Sequence, residues 1–296
     1  MRFFDEDDVR QRLDMRGLIP VMERALSDFS TGKVVQPPRT VVPVTEHNGF
    51  LLSMPVYGGD ALGSKLVTVY PENGAHGVPT HMATVVLLDP VTGAPRAVLD
   101  GELITTMRTS AVSAVALKTL RPDGARSLAI IGSGVQARSH VVALSMVYPF
   151  APIRAWSRTE ANLAVFSAEV GAEPCGSAEE AVRDADVVVT ATSSEIPVLA
   201  GAWLKPGALV IAVGWHGVGS RELDDDVMRN TVIVDGYEAA GRESGDVTAS
   251  GATIYAEIGE IVAGIKPLPP AGTTVFKSSG MAVEDLYAAV QVVNVP

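Results

Sequence analysis

Leu128-Ala-Ile-Ile-Gly-Ser-Gly-Val-Gln-Ala137 sets an apolar, β-branched run ahead of a glycine turn, and the turn opens into a helical pattern. Such a stretch reads as strand, tight loop and helix N-terminus. Free backbone N–H groups and the positive end of a helix dipole meet there, which suits a pyrophosphate. Two glycines at a strand end also make an ordinary tight turn. Here a second strand ends about 25 residues on, the spacing of a dinucleotide-binding unit. The expected cradle is Gly132, Ser133, Gly134, Val135, Gln136 and Ala137. A site for NAD places an acid at the second strand end to accept from the ribose 2′-OH. This chain has Ser157, Arg158 and Thr159 instead. A guanidinium and two hydroxyls suit a 2′-phosphate, so NADPH (NADP+) is expected ahead of NADH.

The rhythm after residue 126 is strand, helix, strand, with strands expected near 126–131, 152–157, 186–191, 208–213 and 231–235 and helices near 135–147, 159–170 and 177–184. That alternation predicts an α/β domain with a Rossmann-type, doubly wound parallel sheet. Earlier, 5–31 reads as one amphipathic helix, and 34–99 alternates short apolar runs with turns, which predicts antiparallel sheet. A long helix over 101–120 and a final helix over 280–292 complete the reading.

With 296 residues, 47% of them hydrophobic, the chain can bury a sizeable core. A net charge of −11 argues against nucleic acid and anionic membrane as partners. No run is long and apolar enough to span a bilayer. The acidic start is unlike a signal peptide, and the single cysteine, Cys175, fits a reducing cytoplasm. The five histidines are scattered with no i, i+4 pair, so no metal site is expected.

Three cations stand out. Arg39 lies beside a predicted strand, Lys65 sits inside an apolar run, and Arg108 is on a rather apolar helix. Charges in such surroundings are costly unless paired. Structural ion pairs, for Arg108 with Glu102 or Asp100, are one reading; a clamp for a substrate carboxylate is the other.

The chain resembles the ornithine cyclodeaminase/mu-crystallin family over nearly its whole length. The resemblance rests on Met107-Arg-Thr-Ser-Ala-Val-Ser-Ala114, the glycine turn, Trp156-Ser-Arg-Thr159, Arg221-Glu-Leu-Asp224, Glu243-Ser-Gly-Asp246 and Thr273 to Asp285. It implies a homodimer. It also implies an α+β substrate and dimerisation domain over 1–118 with 277–296, and a dinucleotide-binding domain over 119–276 inserted in it. Arg39, Lys65 and Arg108 are implied around the substrate carboxylate, with Tyr70, Trp215 and Glu243 facing the substrate. Thr80, His81 and Met82 are implied at the nicotinamide. Ser133, Val135, Ser157, Arg158, Thr192, Ser193, Val213 and Ser278 are implied on the dinucleotide, and Arg108 is counted with them.

Two departures bear on activity. The cyclodeaminases carry a Glu where this chain has Leu52, and a catalytic Asp where it has His216. Without those acids the pattern is nearer the ketimine reductases, which reduce cyclic imino acids such as pyrroline-2-carboxylate or piperideine-2-carboxylate with NAD(P)H. His81 and His216 rank equally as proton donor, and Lys65 completes the catalytic set. The alternatives are an amino-acid dehydrogenase or N-alkyl amino acid reductive aminase, a cyclodeaminase, and an NADPH-binding protein without turnover.

Overall fold

The computed structural model describes residues 1–214 and 219–295. The chain divides into two units, Met1–Arg108 with Met281–Pro296, and Thr109–Gly280. The resemblance implies breaks at 118/119 and 276/277; the division falls at 108/109, within the helix over Gly101–Leu120, and at 280/281.

The first unit is built from β1 (Arg2–Phe4), α1 (Glu6–Arg12), α2 (Met15–Ser30), β2 (Val34–Val35), β3 (Thr40–Val44), β4 (Gly49–Gly58), β5 (Ala61–Val69), β6 (His81–Leu88), β7 (Pro95–Asp100) and the start of α3 (Gly101–Leu120). The expected single helix over 5–31 is two helices. Asp14 ends the first run by turning its carboxylate onto the Gly17 N–H and capping α2, the local bond that makes Asp a helix starter rather than an interior residue. The sheet order is β1-β7-β6-β5-β4-β2, with β3 also on β4. Every pairing is antiparallel except β1 with β7. β4 runs on through Pro55 because β3 stops pairing at Ser53 and β2 begins at Tyr57. Proline's missing N–H therefore breaks no ladder. Leu52, Met54, Val56, Lys65, Val85 and Leu87 point to one buried face.

The second unit contains β8 (Leu128–Ile131), α4 (Val135–Val147), β9 (Ile153–Trp156), α5 (Glu160–Val170), β10 (Glu173–Pro174), α6 (Ala178–Val182), β11 (Val187–Thr190), β12 (Leu209–Ala212), α7 (Asp225–Met228), β13 (Thr231–Val234), α8 (Tyr237–Glu243), α9 (Gly245–Ser250), β14 (Ile254–Glu257), α10 (Ile258–Val262) and β15 (Thr274–Lys277). The chain then returns to the first unit as α11 (Ala282–Asn294), which packs on α2 and on β4, β5 and β6.

All eight strands of the second sheet are parallel, in the order β10-β9-β8-β11-β12-β15-β13-β14. Helices cover such sheets on both faces, which is why the strands read as continuous apolar runs. The expected doubly wound fold is present, with β10, β14 and β15 in addition. Strand order reverses between β8 and β11, the point where ligands bind in open α/β sheets. No described helix is long and apolar enough to cross a membrane.

Candidate active site

The glycine turn sits at the reversal point of the parallel sheet. Gly132 has φ +120°, and a Cβ there would lie 2.4 Å from the Ala191 carbonyl oxygen. Only glycine lets β8 turn this tightly against the end of β11. Gly134 is the N-cap of α4 and gives no side-chain cap; a Cβ on it would meet nothing within 4 Å. The start of α4 thus faces open space with its first-turn N–H groups uncapped by any side chain. Ala137 is fully buried, as close packing of that helix requires. These residues fit a dinucleotide pyrophosphate. Arg138 braces the turn by donating to the Ser133 and Gly134 carbonyls. The Ser133 and Ser157 hydroxyls are 2.8 Å apart, tying the turn to the end of β9. Arg158 and Thr159 follow on the surface.

Other expected dinucleotide contacts of this unit are already engaged. The Thr192 hydroxyl donates to Glu222 at 2.7 Å, and the Ser278 hydroxyl donates to Asp235 at 3.0 Å. Asp235 also receives the N–H groups of Ser279 and Gly280, both at 2.6 Å. Thr192 and Ser278 can therefore offer a ligand lone pairs, but not these hydroxyl protons. Ser193 is exposed, Val213 and Glu243 are half-buried, and Glu243 ends α8. Trp215 and His216 lie outside the described residues. His140, fully buried, bridges Ser113 at 2.8 Å and the Gln136 carbonyl at 2.7 Å. Burial pushes it down to about 4, so it is a neutral packing residue.

The first unit has a buried charge cluster of its own. Lys65 on β5 is 2.6 Å from Asp285 Oδ2, and Arg108 on α3 donates from Nε to Asp285 Oδ1 at 3.0 Å and from Nη1 to Glu284 at 2.7 Å. All four are nearly inaccessible to solvent. Neither Glu102 nor Asp100 is the partner of Arg108 in these pairs; the carboxylates come from α11. Burial drives the Lys65 ammonium down to about 8, against the pull of Asp285 and with help from Arg108 and Arg39. Burial pushes the Asp285 carboxyl up, but Arg108 and Lys65 outweigh it and hold it below the usual carboxylate range.

Lys65 and His81 share one sheet face, since β5 and β6 pair Lys65 with Val85 and Val69 with His81. Leu52 pairs with Val67 on that same face. Met82 is on the opposite face, away from Lys65. Tyr70 and Thr80 are joined by a backbone hydrogen bond of 2.8 Å at the end of the sheet where His81 lies, with the Tyr70 ring packed over Gly49. Sequence reasoning assigned no role to Glu222, Asp235, Glu284 or Asp285. Their signal was the acid itself, placed in apolar surroundings such as Ala282-Val-Glu-Asp-Leu-Tyr287.

The model of the ornithine cyclodeaminase/mu-crystallin family matches residues 2–295. The chain belongs to this family. Within it, the chain is 49% identical to the ketimine reductase mu-crystallin of Rattus norvegicus over 296 residues, covering 97% of this chain and 95% of that protein. Among solved structures it is similar to Thermococcus litoralis Delta(1)-pyrroline-2-carboxylate reductase in complex with NADH and L-proline, with a TM-score of 0.93 and 37% identity over 99% of this chain and 96% of that one. It is also similar to an archaeal alanine dehydrogenase dimer with bound NAD, with a TM-score of 0.94 and 30% identity over 99% and 95% of the two chains. Family members thus share both units of this fold.

Proposed function

We propose that this protein is an NAD(P)H-dependent reductase of the C=N bond in cyclic α-imino acids, giving the cyclic amino acid. The carrying observation is the buried charge cluster. Lys65 and Arg108 are balanced by Asp285 and Glu284, and the charge of Arg39 is felt at Lys65 as a third cation. Lys65 and Arg108 meet on Asp285 as two buried cations, the donor type that a substrate carboxylate calls for. Arg108, held on two acids, is a fixed donor array, and fixing the carboxylate sets which face of the imine is attacked.

When bound on the glycine turn, the reduced dinucleotide supplies a hydride from nicotinamide C4 to the imine carbon. Lys65 is the proposed proton donor to the imine nitrogen. Lys65 is ion-paired with Asp285 and donates to the Thr105 hydroxyl, and an ammonium lowered to about 8 is charged at neutral pH yet ready to give up a proton. Leu52 presents a methyl surface on the same sheet face, in place of the acid that would pair an amine-bearing substrate such as ornithine. Arg158, Ser157 and Thr159 support a preference for NADPH over NADH. A homodimer is supported by the sheet face opposite Lys65, where Val42, Leu51, Tyr57 and Leu66 are exposed, and by the dimeric alanine dehydrogenase relative.

The test is loss of reduced-dinucleotide absorbance with a substrate panel. Pyrroline-2-carboxylate or piperideine-2-carboxylate should be reduced well, pyruvate with ammonia or methylamine poorly, and ornithine should yield no proline. Preference for the open-chain substrates would make the protein an amino-acid dehydrogenase and defeat the reading.

A further inference from the structure

Glu222, in the loop before α7, is 1% exposed. Its carboxylate receives four hydrogen bonds. Oε2 accepts from the Thr190 hydroxyl and the Gly214 N–H, both at 2.8 Å. Oε1 accepts from the Thr192 N–H and hydroxyl, both at 2.7 Å. The Glu222 N–H in turn donates to Asp246 Oδ1 at 2.9 Å. Asp246 Oδ2 pairs with Lys277 Nζ at 3.0 Å, and Lys277 Nζ donates to the Gly214 carbonyl at 2.6 Å. The circuit closes on itself: both backbone groups of Gly214 are held, its N–H by an acid and its C=O by a lysine. The approach is so close that a Cβ on Gly214 would lie 2.3 to 2.6 Å from the Glu222 carboxylate.

Three buried charges are a poor way to stabilise a fold, because apolar residues of similar volume do at least as well. The pairing of β11 with β12 does not need them either, since the backbone ladder runs from Val187–Leu209 to Thr190–Ala212. What Glu222 fixes is the direction in which the chain leaves β11, at Thr192, and β12, at Gly214. Both points are at the C-terminal edge of the parallel sheet, next to the reversal point where Gly132 packs on Ala191.

We infer that Glu222 is a positioning residue for the dinucleotide, acting through Thr192 and Gly214 without touching the ligand. The inference rests on the reading of the second unit as the dinucleotide site. Its chemistry is specific to a carboxylate. Glutamine keeps the size but replaces one acceptor oxygen with an NH2, which cannot receive either pair of donors.

The experiment uses full-length Glu222→Gln protein, titrated with NADPH and with NADH by nicotinamide fluorescence, beside thermal unfolding and imine KM at saturating dinucleotide. The dinucleotide Kd should rise by roughly 10-fold or more, the scale of one charge-assisted hydrogen bond, while the imine KM moves by less than about 3-fold. Ser177→Ala, which removes the cap of α6, serves as the stability control and should lower the melting temperature without changing the Kd. Should Glu222→Gln fail to fold, Thr190→Val removes one buried donor to the same carboxylate and should give a smaller rise in Kd. Variants that melt earlier but bind dinucleotide like wild type would overturn the inference alone. Wild-type protein that binds neither dinucleotide would overturn the inference together with the reading beneath it.

Discussion

Lys65 owes its character to two opposing neighbours, an apolar interior and Asp285. With its folded pKa near 8 and a free value of 10.5, the unfolded chain holds the extra proton between those values. The stability cost of burying this ammonium is therefore full below about pH 8 and is relieved as pH rises through that window. Asp285, held below its usual range, adds stability that is present above the free carboxylate pKa of 3.8 and lost as pH falls beneath it. If Lys65 donates the proton, kcat for imine reduction should fall above about pH 8 as one ionisation. Lys65→Arg, whose guanidinium stays charged, should be slow and lack that alkaline limb. The same limb in Lys65→Arg would assign the proton to another group. The sequence made Lys65 and Arg108 conspicuous as charges among apolar residues. It could not name their partners, because Arg108 and its carboxylates are 176 and 177 residues apart, and no local spacing encodes such a contact.

Elements were legible where their pattern was long or their chemistry unambiguous. The helix over Gly101–Leu120 and the strand–turn–helix from Leu128 to Val147 are where periodicity and glycine put them. β15 was not legible: four residues, Thr274-Val-Phe-Lys277, ending in a charge, carry too little periodicity. It becomes a strand because β12 and β13 flank it. The turn after β8 offers a test at this scale, because its two glycines have different reasons to exist. Gly132→Ala forces a side chain into a positive-φ position and onto the Ala191 carbonyl. It should cost about 1–3 kcal/mol in denaturant unfolding and impair dinucleotide binding. Gly134→Ala meets open space, so its stability should stay within about 0.5 kcal/mol of wild type while binding weakens. Equal stability for both variants would show that the turn is not strained as described.

For the whole molecule, the outer face of the first sheet carries the prediction. Proteins that stay monomeric rarely leave a broad apolar sheet face open, and a second copy with two-fold symmetry would cover Val42 and Tyr57 on both chains. Sedimentation should give a dimer for the wild type and a monomer for the double variant Val42→Asp/Tyr57→Asp. A monomeric wild type would remove the dimer from the argument.

The return of the chain as α11 has a consequence for biosynthesis. Glu284 and Asp285 reach Lys65 and Arg108 from a helix made after the whole second unit. Until that helix has left the ribosome, the first unit has its cations but not their counter-charges, whereas the second unit has all of Thr109–Gly280 already. Chains fold from the N-terminus by units as they emerge, yet here the N-terminal unit must wait for the middle one. Loss of α11 would strike the unit whose larger part was synthesised first.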